Sequence, residues 1–226
     1  MTLKNNFNDN SSDIKVSILN AIHFPDENGL DDVERLKQIL QSVKGRNIGI
    51  NKSVNKHGRT LLHEAILREN YSATKLLLEL GSNVNLKDHD GKTPLHYAAD
   101  ENLVDIAGLL IESGARLNVK DAVCQSTPLH RAAFFGNEKA VKLLLEKGAK
   151  INPVNEFKET PLHEAAEDGY IEIVKLLINN GANCNMRDCR NRTPFDKADF
   201  FHKEVAALIK EASFSAPKSK VMKNKP

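Results

Sequence analysis

A four-residue segment, Thr-Pro-Leu-His, recurs along the chain at a nearly constant spacing. It occupies residues 93–96, 127–130 and 160–163, and variants of it begin at Thr60 and Thr193. The steps between successive threonines are 33, 34, 33 and 33 residues. A fixed period in this range is typical of a stacked repeat array, in which each unit contacts only its neighbours. The 226 residues are therefore predicted to form one elongated array.

Each period has the pattern of two short helices joined as a hairpin. In one copy, Thr93 can act as the N-cap and Pro94 can take the first helical position, where its missing N–H costs nothing. Ala98 and Ala99 give this first helix a small apolar face. A second apolar helix follows, and Gly114 supplies its left-handed end. Since one unit cannot bury its own apolar faces, we expect stacking to stabilise the array.

The complete pattern resembles the ankyrin repeat. It reads Asp-x-x-Gly-x-Thr-Pro-Leu-His, then Ala-Ala, Leu-Leu, Gly-Ala and Asn, and it covers about residues 53–212. The resemblance implies an all-α solenoid of about six helix-turn-helix units with short β-hairpin-like loops. The chain departs from the pattern at Leu61, which replaces the proline, at Gln125 and Lys158, which replace a turn glycine, and by one extra residue before Thr127. We expect reshaped hairpins there.

The array is predicted to end in a cap on each side. An amphipathic pattern broken after Pro25 indicates a degenerate first repeat, and Asp196 replaces the motif histidine in the last one. The predicted organisation is a disordered segment at 1–12, a degenerate capping repeat at 13–52, repeats at 53–85, 86–118, 119–152 and 153–185, a C-terminal capping repeat at 186–213, and a disordered basic tail at 214–226.

Amino-acid composition indicates the class of partner and the cellular compartment of the protein. Its 32 Lys and Arg nearly balance 30 Asp and Glu, so the whole molecule has no field that favours nucleic acid or an anionic membrane. Three cysteines without a CxxC pair suit a reducing compartment, and we find neither a secretory leader nor an apolar run of about 18 residues. We expect a soluble, cytoplasmic monomer. Abundant Lys, Asn and Ile without Trp favour an AT-rich genome, such as that of an intracellular bacterium.

Metal and catalytic sites are not predicted. The motif histidines come once per repeat, about 10 Å apart if stacked helices pack at usual distances, and similar ankyrin repeats use this histidine to tie loops together. Cys184 and Cys189 lack a second pair that would complete a zinc site. The chain contains no nucleophile elbow, phosphate-binding glycine loop, HExxH or dinucleotide motif. We therefore expect no enzyme activity, metal or cofactor.

The pair of residues after each Ala-Ala position changes in kind from repeat to repeat. Through the resemblance, the ends of the first helices and the hairpin tips line a concave partner-binding face. An aromatic pair lies between two acidic pairs, which suits a basic partner segment with an apolar anchor. The candidate contact residues are Arg68, Asp100, Glu101, Phe134, Phe135, Phe157, Glu167, Asp168, Phe200 and Phe201.

Two interpretations of these residues stay open from the sequence. Carboxylates at the C-terminal end of a helix face the negative end of its dipole, so folding alone would not select them. Alternatively, the acidic pairs lie near the N-terminus of the second helix, and Phe134 and Phe135 pack between repeats.

The predicted function is a non-catalytic module that binds another protein, as an effector delivered into the cytoplasm of a host cell or as a eukaryotic cytosolic adaptor. The alternative is binding of nucleic acid or an anionic membrane through the Lys-rich tail, which predicts affinity that falls steeply with salt.

Overall fold

The computed structural model describes residues 18–20, 38, 49–198 and 200–215. Between residues 61 and 215 the helices form five successive pairs, which we number from here on as the first to the fifth repeat. The pairs are α1 (Leu61–Leu67) with α2 (Tyr71–Glu79), α3 (Pro94–Asp100) with α4 (Val104–Glu112), α5 (Pro128–Phe134) with α6 (Glu138–Glu146), α7 (Pro161–Glu167) with α8 (Ile171–Asn179), and α9 (Pro194–Ala198) with α10 (Lys203–Ser215).

The pairs stack side by side in two layers of helices. The first helix of each pair contacts the first helices of its neighbours, and we call these five helices the inner layer; the second helices form the outer layer. The core lies between the layers, where leucines such as Leu95 and Leu110 are fully buried. The described residues contain no β-strand. The chain is therefore an all-α repeat solenoid, as the period predicts.

Alanine makes the inner layer compact. Ala98, Ala132 and Ala165 have no exposed surface, and each occupies the same position in its repeat. A methyl side chain lets two helix backbones approach closely, whereas the outer layer is spaced by larger leucines. The inner helices α1, α3, α5 and α7 also span seven residues each, against nine for α2, α4, α6 and α8. This difference in size favours curvature towards the inner layer.

One histidine per repeat connects the start of a helix to the next repeat. His96 Nδ1 accepts a hydrogen bond from Thr93 N at 3.1 Å, so the neutral ring carries its proton on Nε2. Nε2 then donates to the carbonyl oxygen of Ser126, 3.1 Å away in the following repeat. His63, His130 and His163 make the same two bonds. The predicted role of the motif histidine is confirmed.

The last repeat keeps only half of this arrangement. The Asp196 carboxylate accepts from Thr193 N at 2.7 Å and from the Thr193 hydroxyl at 2.8 Å. Aspartate accepts the same hydrogen bond at the helix start as histidine does, but it has no N–H that could donate to a carbonyl oxygen of a following repeat. It therefore suits the terminal position of an array.

Adjacent hairpin tips are joined by backbone hydrogen bonds. Ala122 N donates to Asp90 O at 2.8 Å, and Glu156 N donates to Cys124 O at 2.9 Å. Gly91 has φ 72° and a Cβ there would lie 2.5 Å from Ala122 N, so this tip requires glycine for space as well as conformation.

The substituted turn at Lys158 keeps the ordinary hairpin. Lys158 adopts φ 60°, and Asn155 N still closes the turn by donating to Glu159 O at 2.9 Å. The expectation of a reshaped hairpin is wrong here, at a conformational cost on the order of 1 kcal/mol. Gln125 also has a positive φ, 56°, in the loop that holds the extra residue. Helix α1 begins at Leu61 without a proline.

The terminal predictions are only partly within the described residues. Ile18 is helical and fully buried. The segment 1–12, most of the predicted cap at 13–52, and the tail from 216 onwards lie outside the described residues. Residues 214 and 215, which the sequence assigned to the tail, belong instead to α10. As far as the chain is described, it holds no helix with the length and apolarity of a bilayer span.

Stability should fall as pH drops from 6.5 towards 4. Burial lowers the pKa of His96 and of His130 from 6.5 to about 4. The unfolded chain therefore binds protons in this window that the folded chain excludes, which costs on the order of 2 kcal/mol per ring at pH 5. The free energy of unfolding, measured by urea denaturation at pH 7.5 and 5, should show this loss.

The double variant His96→Asn/His130→Asn isolates the contribution of these rings. The amide oxygen can still cap the helix but does not titrate, so the variant should lose less stability than the parent between the two pH values. His57→Asn/His89→Asn, on exposed loops, is the control and should behave like the parent. An equal loss in the parent and in the His96/His130 variant would contradict the prediction.

Candidate partner-binding surface

The structure brings the predicted contact residues to one side of the inner layer. They lie at or just after the C-terminal ends of α1, α3, α5, α7 and α9, except for Phe157, which lies at a hairpin tip. We call this side the inner surface. Nine of the ten residues are exposed: Arg68, Glu101, Phe134, Phe135, Phe157, Glu167, Asp168, Phe200 and Phe201.

Two phenylalanines form an exposed aromatic pair in the middle of the array. Phe134 is 45% exposed and Phe135 is 44% exposed. Their ring centroids are 5.1 Å apart in an edge-to-face arrangement, and the Arg131 guanidinium lies 4.9 Å from the centroid of Phe135. Each ring is thus partly covered by the chain and partly exposed to solvent. Phe200 and Phe201 form a similar, more exposed pair, with centroids 4.7 Å apart.

Asp100 is the predicted contact residue that the structure does not expose. Its side chain is only 7% exposed. Arg131 donates from Nε and Nη2 to its two carboxylate oxygens at 2.7 and 3.1 Å, and Lys92 donates to it at 2.8 Å. The carboxylate joins two repeats and holds the guanidinium beneath Phe135. Asp100 is thus a positioning residue within the chain.

Sequence reasoning overlooked the fourth residue after each motif threonine. Between the motif histidine and the alanine pair, where the helix is otherwise buried, these positions carry large polar side chains on the inner surface. The signal that could have identified them is this polar interruption of an apolar helix. The residues are Glu64, Tyr97, Arg131, Glu164 and Lys197.

Tyr97 links the first two repeats. Its hydroxyl donates to Asp88 at 2.5 Å and accepts from Arg59 Nε at 3.1 Å. Arg59 and Lys92 lie 5.3 and 5.2 Å from the ring centroid, within the range of cation–π attraction. Burial and the bond to Asp88 raise the pKa of Tyr97. The phenol thus stays neutral and keeps this part of the inner surface rigid.

Three carboxylates surround one lysine in the fourth and fifth repeats. Lys197 Nζ donates to Glu159 at 2.5 Å and also to Glu167. Glu164 lies close by and accepts from the Asn155 amide at 3.1 Å. Burial, aided by the charge of Glu159, raises the pKa of Glu164 to about 7. Arg192 Nη2 also lies 3.9 Å from Glu159, so a second cation faces this cluster.

The functional groups on the inner surface are aromatic rings and charged side chains. Within the described ranges, no three His, Cys, Asp or Glu side chains are grouped so that they could hold a metal ion. The cysteines at 124, 184 and 189 are free, and burial raises the pKa of Cys124 and of Cys184, which makes these thiols less nucleophilic. The aromatic pairs and charged clusters can bind side chains of another molecule.

Neutralising Asp100 should destabilise the fold. Asp100→Asn leaves Arg131 and Lys92 partly buried without their counter-charge, and we expect a loss on the order of 1–3 kcal/mol in the free energy of unfolding. Glu101→Gln removes the adjacent exposed carboxylate and serves as the control, with a change within about 0.5 kcal/mol. Urea denaturation measures both. Equal effects would contradict the role of Asp100.

Neutralising Glu164 should stabilise the fold at high pH, in contrast to neutralising Asp100. The folded pKa of about 7 exceeds the unfolded value of 4.5, so the stabilisation is complete below pH 4.5 and is lost as pH rises through 7. Glu164→Gln should raise the free energy of unfolding by on the order of 2 kcal/mol at pH 8 and leave it unchanged at pH 4.

Glu64→Gln is the matched control for this variant. Glu64 occupies the same position in the first repeat and accepts from Asn55 at 2.6 Å, but Arg59 stands where the fourth repeat has Glu159. Removing its charge beside an arginine should not stabilise the protein. A higher melting temperature for Glu64→Gln than for Glu164→Gln at pH 8 would contradict the prediction.

Comparison with known proteins agrees with the repeat architecture. A family model for ankyrin repeats in three copies matches residues 27–121 and 122–188, and one for ankyrin repeats in many copies matches residues 98–145. A search of curated proteins found no match to the chain. The matched residues cover well over half of the sequence and include the motifs whose hydrogen bonds join the stack. The chain belongs to the ankyrin repeat family.

Proposed function

We propose that this chain is a non-catalytic module that binds a partner protein through its inner surface. Ankyrin repeats are generally protein–protein interaction modules, and typical members are non-catalytic scaffolds. The observation that carries the proposal is the exposed pair of Phe134 and Phe135 at the centre of the array. Aromatic rings at the centre of a contact supply much of the binding energy of protein interfaces.

The charges around this aromatic pair favour a basic partner segment. Glu101 is exposed in the preceding repeat, and Glu167 and Asp168 are exposed in the following one. An apolar partner side chain that packs on Phe135 would bring flanking Lys or Arg residues near these carboxylates. Asp100 does not take part directly, because its carboxylate is occupied by Arg131 and Lys92.

The acidic cluster supports the same kind of partner. Glu164 is held close to Glu159 although burial and this neighbour raise its pKa, so the cluster opposes folding above neutral pH. A group that is unfavourable for folding is often retained for binding. Glu167 in this cluster is half-exposed, so a partner cation can approach its carboxylate beside Lys197.

The inner surface is suited to binding without a large loss of conformational entropy. Hydrogen bonds between hairpin tips and the histidine links hold the backbone in place before a partner arrives. The residues at the surface positions then determine which partner binds. We propose that the protein acts in the cytoplasm as a monomer, either as an effector of an intracellular bacterium inside a host cell or as a eukaryotic adaptor.

The test is cross-linked capture from a eukaryotic cell lysate with the full chain. A specific partner should be captured by the parent and by Phe214→Ser, an exposed aromatic on α10, but lost with Phe134→Ser/Phe135→Ser. Charge reversal in Glu167→Lys/Asp168→Lys should lower the affinity for the purified partner by about tenfold or more. The parent and all variants should have equal circular dichroism spectra.

Removal of residues 216–226 separates this proposal from binding through the tail. The inner surface predicts the same captured protein with or without the tail. Capture that survives Phe134→Ser/Phe135→Ser but ends when 216–226 is removed would overturn the proposal. Affinity that then falls steeply between low and physiological salt would indicate a nucleic acid or anionic membrane as the target.

A further inference from the structure

The outer layer departs from its own pattern in the second repeat. The fifth residue of α2, α6 and α8 is an exposed lysine, at positions 75, 142 and 175, whereas the fifth residue of α4 is Gly108. Glycine in the interior of a helix is less favourable than alanine by about 1 kcal/mol. Local helix stability therefore does not explain this residue.

A groove of about 880 Å³ opens where the lysine is absent. It lies on the outer layer, on the opposite side of the helix pairs from the inner surface. Gly108 is part of its wall, and the apolar side chains that line it come from three consecutive repeats: Tyr71, Leu103, Val104, Leu109 and Leu143. A Cβ on Gly108 would have no atom within 4 Å, so the missing side chain leaves open space.

The two walls of the groove carry opposite charges. Residues 105, 109 and 112 share one face of α4, and residues 139 and 143 of α6 share one face with residue 147, which directly follows this helix. Each face has a leucine between two like charges, Asp105 and Glu112 on α4 and Lys139 and Lys147 on α6. Within residues 49–198 and 200–215, none of these four charges forms an ion pair.

A segment that binds in this groove must form its backbone hydrogen bonds within itself. The N–H and C=O groups of α4 and α6 are bonded within their helices, so an extended segment would find no main-chain partners there. A helix brings its backbone already bonded and can approach Gly108 closely. The nine residues of α4 span roughly 14 Å, which corresponds to between two and three turns of a partner helix.

We propose that this groove is a second docking surface, which receives an amphipathic helix of a partner protein with basic residues on one flank and acidic residues on the other. Apolar side chains of that helix contact Leu109 and Leu143. Its basic flank faces Asp105 and Glu112, and its acidic flank faces the lysines of α6. Because the walls differ in sign, the charges also determine the direction in which the helix lies.

A designed peptide tests this surface directly. The probe is a synthetic 14-residue helix-forming peptide with a leucine stripe, lysines on one flank and glutamates on the other. Titration into the full chain should shift amide NMR signals of α2, α4 and α6. Gly108→Lys gives α4 the lysine that its sister helices carry and places this side chain in the groove. It should therefore lower the affinity for the peptide by about tenfold or more.

Reduced peptide binding by Gly108→Lys can be distinguished from unfolding. Lysine is a better helix former than glycine, so Gly108→Lys should raise the melting temperature while it removes peptide binding. Ala207→Lys places the same side chain at the equivalent, exposed position of α10 and should leave peptide affinity unchanged. Peptides with the same leucine stripe but with two acidic flanks or two basic flanks should bind more weakly than the probe peptide, because one flank then faces a wall of like charge.

Three outcomes would overturn the proposal. The first is an affinity that Gly108→Lys leaves unchanged. The second is a lack of signal changes in α2, α4 and α6 at millimolar peptide, or changes that fall on the inner surface instead. The third is self-association of the parent that Gly108→Lys abolishes, measured by sedimentation, because the occupant would then be a second copy of this chain.

Discussion

The buried histidine of each repeat is the contact on which the rest of the array depends. Its Nδ1 accepts from the threonine that begins the inner helix, and this bond leaves Nε2 with the proton that reaches the next repeat, as from His96 to Ser126. One ring therefore satisfies a helix start and connects two units. The same dependence makes the stack sensitive to acid, because burial holds the ring neutral at a pH where free imidazole is protonated.

Because these contacts involve backbone atoms and buried rings, they leave the surface positions free to differ between repeats. The inner surface uses this freedom in two ways. Some residues are tied to their neighbours, such as Asp100 under Arg131 and Lys92, and they orient the groups above them. Others are exposed, such as Phe134 and Phe135. On the outer layer, Gly108 leaves open space in the wall of a groove, at a position where three sister helices carry lysine.

Much of the fold could be predicted because its signals are local. Thr93, Pro94 and Gly114 specify the start of one helix and the end of the next within a single repeat, and the period supplies the stacking. The error at Lys158 has a cause that is not local, since backbone hydrogen bonds from the adjacent hairpin tips support a non-glycine residue in a left-handed conformation. The site was harder to predict, because Asp100 meets a guanidinium 31 residues later.

The sequence by itself determined the repeat length, the starts of the inner helices, the capping residues and the family, since each depends on residues a few positions apart. Only the tertiary structure decided which surface residues are exposed. Asp100 and Glu101 are adjacent in sequence, yet one is enclosed by cations and the other faces solvent. The physical reason is that ion pairs and grooves form between repeats, so they depend on how neighbouring units are placed and on side chains about 30 residues apart.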